Sequence, residues 1–464
     1  MDLNEHQELM KQKMKIIIHR GAMEIGGTCI ELSSGNTKIL LDIGLPLNNK
    51  KSKFKIKDLQ PDAILISHPH LDHYGLLDQV EKSTPVYVGE LTQNIINASR
   101  VFNKQKLLDN TCISIENKKR FKVGDFTITP YLVDHSAIDA YAFLIQDSHI
   151  KVFYSGDFRA HGRKSILFKS LVDRIPEELK NIDALILEGT LLGREPEDFS
   201  SEKEVEDKIR DVLEKTPGTC YLVCSSQNID RMVSAFKAAV STGRMLVIDI
   251  YTAWILKKVA DSPKTRKIPN LYWKNVKVLS HGRTAANHYC TVKENPEYFN
   301  KFIRKIYYSD NVVTHEDIAK NPHKYLIKTN WIDFLIKNTK CKGISIIYSM
   351  WKGYLEKEYN PKGYKQFQNL QKKYNFVYAH TSGHAYISDL KKFANTLEPK
   401  VIIPVHTEFH DIYDTYFRNA LPLKDGRKFN LAYCLNDRIL KAGIEAVQKP
   451  RELQKMLEDI YPNL

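Results

Sequence analysis

Residues 67–73 read Ser-His-Pro-His-Leu-Asp-His and bring His68, His70, Asp72 and His73 into one short stretch. They follow the apolar run Ala63-Ile64-Leu65-Ile66, which reads as a buried strand. The donors therefore sit where a strand passes into a loop, a place where a rigid scaffold presents chemistry. Imidazole nitrogen and carboxylate oxygen together suit zinc or manganese. Four donors so close in sequence cannot all reach one tetrahedral ion without strain, so a pair of neighbouring metals is the expectation. A metal-binding site without catalysis is the competing reading.

A two-metal centre needs more ligands, and the same grammar of an apolar strand followed by one acidic or imidazole residue supplies them. Asp42 follows Ile39-Leu40-Leu41, and His135 follows the run 126–133 by way of Asp134. Asp157 follows Lys151-Val152-Phe153-Tyr154, Glu188 follows Ala184-Leu185-Ile186-Leu187, and His406 follows Val401-Ile402-Ile403-Pro404-Val405. Carboxyl ends of strands on one edge of an α/β layer converge on a common crevice. Two further segments suit anions. In His380-Thr381-Ser382-Gly383-His384-Ala385, Gly383 permits close backbone approach, and Ser382 with neighbouring amides can bind phosphate oxygens. Either histidine could donate to the same anion or protonate a leaving group. Ser225-Ser226-Gln227-Asn228 stands between a strand and a helix, where hydroxyls and helix amides form an anion site or simply cap the helix.

The elements that must position these residues are legible in outline. In the first half, short apolar runs at 15–19, 28–32, 37–41, 63–67, 126–133, 140–145 and 151–154 predict strands. Helical periodicity appears at 91–108 and 202–213. Beyond Thr216-Pro217-Gly218 the texture becomes strand (220–224), helix (229–240), strand (245–250), helix (254–259), the alternation of a parallel sheet. It continues through strands at 275–280, 343–348 and 376–379, a helix at 388–396, a strand at 401–405 and a helix at 411–419. Residues 1–13 read as a surface helix and 443–464 as a terminal helix. A length of 464 residues predicts two or three domains of mixed α/β class.

Composition narrows the function classes. A hydrophobic content of 42% excludes a disordered chain. No apolar run approaches the roughly 18–20 residues that cross a bilayer, and the polar start of the sequence is not expected to be a secretory signal. Seven cysteines without a CxxC pair predict reduced thiols in a cytoplasmic setting. The formal charge of +14 favours a polyanionic partner, nucleic acid first. Basic runs at 50–57, 117–120 and 159–164 are its local counterparts, each of which alone reads first as a solvated loop rather than a binding site.

Taken together, His68-x-His70-x-Asp72-His73, Asp42, His135 and Asp157 resemble the metallo-β-lactamase fold. Gly21-Ala22-Met23-Glu24-Ile25-Gly26-Gly27 looks like the start of that domain in the ribonuclease J group. Glu188-Gly189-Thr190, His384 and His406 are similar, in order, to the motifs of the β-CASP nucleases. The resemblance spans about residues 15–440. It implies an αββα sandwich over 14–215 with an inserted β-CASP α/β domain over 216–378. The sandwich would be completed, with the RNA-specificity motifs, by 379–442. It also implies roles. His68, His70 and His135 would hold one zinc, and Asp72, His73 and His406 the other. Asp157 would bridge them, and Asp42 would orient ligand imidazoles. The two Zn2+ ions, or Mn2+ in their place, would acidify a water for attack on phosphorus. Asp72 would also help to orient that nucleophile. His384 would stabilise the pentavalent state or assist the leaving oxygen, Glu188 would serve the same catalytic group, and His380, Ser382 and Gly383 would grip a phosphate. Ser225 and Ser226 would contact RNA at the entry to the inserted domain.

Two departures stand out. The first β-CASP motif carries Glu188 where ribonuclease J has Asp. The sequence also ends soon after Asn436, ahead of that family's further C-terminal domain, which leaves the manner of any homodimerisation open. The inserted region holds Met350-Trp351-Lys352-Gly353-Tyr354, whose aromatics either pack at the domain seam or stack on bases. The expected function is a cytoplasmic dinuclear-metal ribonuclease on single-stranded RNA, with a 5′-to-3′ exonuclease mode. The alternatives are a metallo-hydrolase of DNA or of a small nucleotide or thioester, and a non-catalytic RNA-binding protein.

Overall fold

A computed structural model describes residues 14–47, 56–195, 198–265, 267–279, 283–307 and 311–431. The helices expected at 1–13 and 443–464, and most of the basic run 50–57, lie outside the described residues.

Three sheets carry the molecule. The first orders its seven strands as Lys428–Asn430, Lys15–Arg20, Cys29–Ser34, Thr37–Leu41, Ala63–Leu65, Val86–Gly89 and Cys112–Ile115. The second has six, ordered Val401–Val405, Ala184–Glu188, Lys151–Tyr154, Tyr141–Gln146, Phe126–Leu132 and Phe121–Val123. These two pack face to face. Ile16, Ile18, Ile30 and Leu32 of one meet Phe126, Ile128, Phe143 and Ile145 of the other, all buried. Period-two alternation puts those side chains on one face of each sheet, and each fully buried side chain of this size contributes about 1.5–3 kcal/mol. The outer faces are covered by helices. Ile96 of helix Glu90–Phe102 packs with Leu40 and Ile64 of the first sheet. Phe168 of Ser165–Val172 and Phe393 of Ile387–Leu397 pack with Phe153 and Leu185 of the second. This is the αββα sandwich of the metallo-β-lactamase fold.

The third sheet is parallel throughout and is built from 220–378, in the order Val312–Val313, Val276–Leu279, Met245–Ile248, Tyr325–Lys328, Cys220–Val223, Ser345–Tyr348 and Asn375–Tyr378. Helix Ile229–Ser241 covers one face through Met232 and Ala235, and Leu370 of helix Tyr364–Lys373 lies in the core of the other. Crossovers on opposite faces make a topological switch point at the middle strands.

Tyr325–Lys328 sits at the centre of the third sheet, yet it was hidden in a Lys- and Tyr-rich stretch and ends in a lysine. The strands Val86–Gly89, Cys112–Ile115 and Phe121–Val123 are too short to stand out. The strand expected to reach residue 250 stops at Ile248, because Asp249 Oδ1 accepts from Thr252 N at 2.7 Å and caps the helix Ile250–Asp261. The helix expected at 411–419 is a single turn, Tyr413–Tyr416. The basic run 159–164 is turned inward, with Arg159 fully buried and Lys164 paired with Asp230 at 2.8 Å. The six described cysteines are free. No described helix is long and apolar enough to cross a membrane.

Candidate metal centre

Strand registers bring the donors to one rim. In the first sheet Leu41 pairs with Leu65, so Asp42 and the segment after Ile66 leave the same edge. In the second, Tyr154 pairs with Ile186 and Glu188 with Val405, so Asp157, Glu188 and His406 leave another. The two edges face each other across the top of the sandwich. The turn after Ile66 winds into the one-turn helix Leu71–Tyr74, which presents Asp72 and His73. Gly44 lets this helix close, since a Cβ there would stand 1.6 Å from the Asp72 carbonyl oxygen.

The donors fall into overlapping groups. His68, His70 and His135 form one, and Asp72, His73 and His406 another. His68 Nε2 lies 3.0 Å and His135 Nε2 3.3 Å from His70 Nδ1. Nitrogens about 2.0–2.1 Å from a tetrahedral ion stand about 3.3 Å apart, so the three converge as ligands of one ion do. In the second group His406 Nε2 is 3.3 Å from Asp72 Oδ2. Asp157 Oδ2 lies between the groups, 3.1 Å from His73 Nε2 and 3.8 Å from His68 Nε2. His73 Nε2 is buried and faces carboxylate oxygens, Asp157 Oδ2 at 3.1 Å and Asp72 Oδ2 at 3.9 Å. A buried ring nitrogen aimed into a carboxylate-lined space fits a metal ion.

The other ring nitrogens are anchored, which fixes how each imidazole faces the centre. His73 Nδ1 donates to Asp42 Oδ2 at 2.8 Å, and His135 Nδ1 donates to the Gly383 carbonyl at 2.6 Å. His68 Nδ1 faces Ser67 Oγ at 3.0 Å. His406 Nδ1 faces Thr190 Oγ1 at 2.8 Å, whose own proton goes to the His406 carbonyl. Asp42 also accepts from Ser67 N, Ser67 Oγ and Tyr154 Oη at 2.6–2.8 Å. Asp42 and His406 both hold φ in the left-handed region, +58° and +52°, local strain of the kind that marks functional sites. Ser67, Thr190 and Tyr154 carry no sequence signal of their own. The first two follow directly from being neighbours of motif residues, but the phenol of Tyr154 was read only as strand.

Electrostatics follow from this packing. Burial, reinforced by neighbouring imidazoles, pushes His68 and His135 well below the usual histidine range. Burial also takes His70 down to about 4, against the pull of Asp72. These rings are held neutral, the form that binds metal. Burial would lower His73 too, but Asp157, Asp42 and Asp72 outweigh it and push it well above. Asp157 and Asp72 stay ionised, since histidines around them outweigh burial. Zinc added to metal-free protein is therefore expected to raise Tm, by about 2.7 kcal/mol of stability at 100 times Kd. Asp42→Asn should weaken zinc binding about 10–100-fold. A titration midpoint the same as wild type would remove Asp42 from the anchoring role.

The segment 380–385 lies against this centre. His384 Nδ1 is 3.5 Å from Glu188 Oε2 and 3.8 Å from Asp157 Oδ2, with a fifth of its side chain exposed. Burial would lower its pKa, but Glu188 and Asp157 raise it. Glu188 itself is buried and accepts from Thr190 N at 3.0 Å and Ala385 N at 3.2 Å. Ser382 Oγ accepts from His384 N at 3.1 Å. Gly383 is required where it stands, because a Cβ would lie 2.7 Å from Ser136 Oγ and 3.1 Å from His135 Cε1. His380 is turned away from the donors, toward Arg231 Nη1 at 3.3 Å. Ser225 and Ser226 line a separate cavity on the third sheet that contains none of these donors, because their strand opens on its own sheet edge. Within that tetrapeptide Asn228 caps the following helix, accepting from Arg231 N at 3.0 Å.

A buried ion network, missed in the sequence, ties the third sheet to the sandwich. Arg231 Nη2 donates to Glu202 Oε1 at 2.8 Å, and Arg159 Nη2 donates to Asp230 Oδ2 at 2.6 Å. Arg159 Nη1 and His161 Nε2 both reach the Ser382 carbonyl, at 2.9 and 3.0 Å. Burial and Arg159 take His161 down to about 4, and burial and Arg231 take His380 down to about 3. Both are near 6.5 in the unfolded chain. Between pH 6.5 and those values the unfolded chain binds protons that the folded chain refuses, so stability falls as pH falls across that window. The Tm of metal-free protein should drop from pH 6.5 to 4.5, and less steeply in His161→Gln. Parallel pH profiles for the two proteins would show that His161 carries none of the effect.

The fold and the site define a metallo-β-lactamase-type metal centre with an inserted parallel-sheet domain. Residues 37–220 match the beta-lactamase superfamily domain, and 373–417 match the Zn-dependent metallo-hydrolase RNA specificity domain. Ribonuclease J of Helicobacter pylori is 22% identical over 437 residues, covering 88% of this chain and 59% of that protein. Ribonuclease J of Mycoplasma genitalium is 23% identical over 447 residues, covering 88% of this chain and 70% of that one. A crystal structure of a protein of unknown function from Enterococcus faecalis superposes with a TM-score of 0.68 at 21% identity, over 90% of this chain and 99% of that one. The chain carries the metallo-β-lactamase fold with a matching RNA specificity segment, and it is similar in sequence to ribonuclease J. It spans about three fifths of the length of the Helicobacter pylori relative.

Proposed function

We propose that the protein is a dinuclear metal-dependent ribonuclease that hydrolyses phosphodiester bonds of single-stranded RNA, acting 5′ to 3′ as an exonuclease. The observation that carries this reading is the pair of donor groups joined through Asp157, with His384 beside them. His68, His70 and His135 would hold one ion and Asp72, His73 and His406 the other, zinc or manganese in each. Bound ions supply neutralisation of the phosphoryl oxygens and acidify a water. Asp72 orients that water. His384, whose pKa Glu188 and Asp157 raise against burial, donates to the departing oxygen. Glu188 acts on this step through His384, whose Nδ1 lies 3.5 Å from Glu188 Oε2. Ser382 and Gly383 hold the loop that presents it, and the sandwich, 14–215 with 379–442, and the inserted domain, 216–378, close on the strand between them.

The test is purified protein on 5′-labelled single-stranded RNA with zinc or manganese, read as a product ladder. Single-nucleotide release from the 5′ end is the expected result. No cleavage by wild type, or equal cleavage by the double variant His68→Ala/His70→Ala, would refute the reading. Rising salt should weaken RNA binding steeply, since a polymer releases counterions and a small nucleotide or thioester substrate does not. A flat salt response would move the substrate class away from RNA.

A further inference from the structure

A second site lies on the third sheet, away from the donors. A cavity of about 360 Å³ opens at the carboxyl edge of its middle strands, lined among others by Ser225, Asp249, His288, Lys328, Asn330 and Trp331. The strands Cys220–Val223, Met245–Ile248 and Tyr325–Lys328 all end there. This is the switch point of the sheet, where open parallel sheets bind their ligands.

The floor of the cavity is polar. Lys328 is 4% exposed, and its Nζ donates to Ser226 Oγ at 2.6 Å and Asp249 Oδ2 at 2.9 Å. An ammonium has three donors, so one is left for a ligand. Burial would lower its pKa, but Asp249 outweighs it and keeps the charge. His288, on helix Arg283–Glu294, has Nδ1 buried with no hydrogen-bond partner among the described residues. The rim is aromatic, with Trp331 61% and Phe334 40% exposed. Exposed large rings cost solvation and are expected where something covers them.

We propose that this cavity binds a nucleotide, with its base stacked on Trp331 and its phosphate or ribose hydroxyls held by Lys328, Ser225 and Asn330. One cation, a set of hydroxyl and amide groups and a flat platform match that chemistry. A purely apolar ligand would leave Lys328 and His288 unmatched, and a bare phosphate would leave the rings uncovered. The nucleotide could be free or could be one residue of a longer strand. The choice of ribonucleotides rests on the function proposed above.

The test is intrinsic tryptophan fluorescence of the full chain, stripped of metal with chelator so that nothing is cut. AMP, UMP and a uniform 12-nucleotide RNA are each titrated into wild type, Trp331→Phe and Asn330→Ala. Saturable quenching in wild type, lost in Trp331→Phe and shifted at least tenfold in Asn330→Ala, is the expected result. Quenching by AMP or UMP identifies a site for free nucleotides, and quenching by the 12-mer alone identifies a station for the strand. No quenching by any probe overturns the proposal, and so does equal quenching in Trp331→Phe, which would place the signal at another tryptophan. Cleavage of RNA without quenching would sink this site alone. Quenching without cleavage would sink the ribonuclease reading and leave the site standing.

Discussion

Asp157→Asn is expected to abolish RNA cleavage while leaving the fold in place. The carboxylate is the common neighbour of His68, His73, His384 and His406, within 3.1–3.8 Å of each. Asparagine keeps the shape and removes the charge that the proposed metals would share and that faces His384. Changing a residue that only orients a ligand costs about 10–100-fold in metal affinity or activity. Losing the shared ligand should exceed that, so single-turnover cleavage should fall more than about 100-fold, or about 2.7 kcal/mol of transition-state stabilisation. Elemental analysis should find less than the wild-type metal content, and the Tm of the metal-free forms should be close. A variant that keeps cleavage within tenfold of wild type would refute the bridging role.

Arg231→Met is the second large effect, and it acts on stability first. Arg231 is fully buried and donates to Glu202, to Ser349 and to the Thr381 carbonyl. Its removal strands a buried carboxylate, a change that typically costs about 3–5 kcal/mol. Burial would raise the Glu202 pKa, yet Arg231 and Arg159 outweigh it and hold it far below the usual range, a measure of how much depends on the pair. The double variant Arg231→Met/Glu202→Gln should recover part of the loss, because no unpaired charge is left. Arg159 keeps its bond to Asp230 in that background. Urea unfolding of the four proteins tests this as a cycle. A single variant within 1 kcal/mol of wild type would make the network ornamental. Cleavage should fall in Arg231→Met even at temperatures where it stays folded, because the segment bearing His384 loses its tether.

Much of the centre was legible because ligand chemistry leaves a local trace. A histidine or aspartate directly after an apolar strand is conspicuous, and His68, His70, Asp72 and His73 stand within six positions. The strands that carry Asp42, Asp157, Glu188 and His406 are also visible in their apolar runs. What was not legible is the support. Tyr154 faces Asp42 across 112 positions, and Thr190 faces His406 across 216. Hydroxyls are common everywhere in a sequence, so only the fold distinguishes these two. The run 159–164 was misleading for a related reason. Charge in a sequence does not say whether it is solvated, and here Asp134, Glu202, Glu206 and Asp230 wait inside to receive it.

Donor chemistry and the alternation of strands and helices are set by residue type and short-range period, and both can be read along the chain. The tertiary structure alone decided the pairing of Ala184–Glu188 with Val401–Val405, and therefore that Glu188 and His406 leave one edge together. It also decided that Gly383 orients His135 and that Arg231 ties the inserted sheet to the segment bearing His384. These contacts join positions far apart in the chain. Closing such long loops costs entropy that no local pattern records, and it is repaid only when the whole core packs.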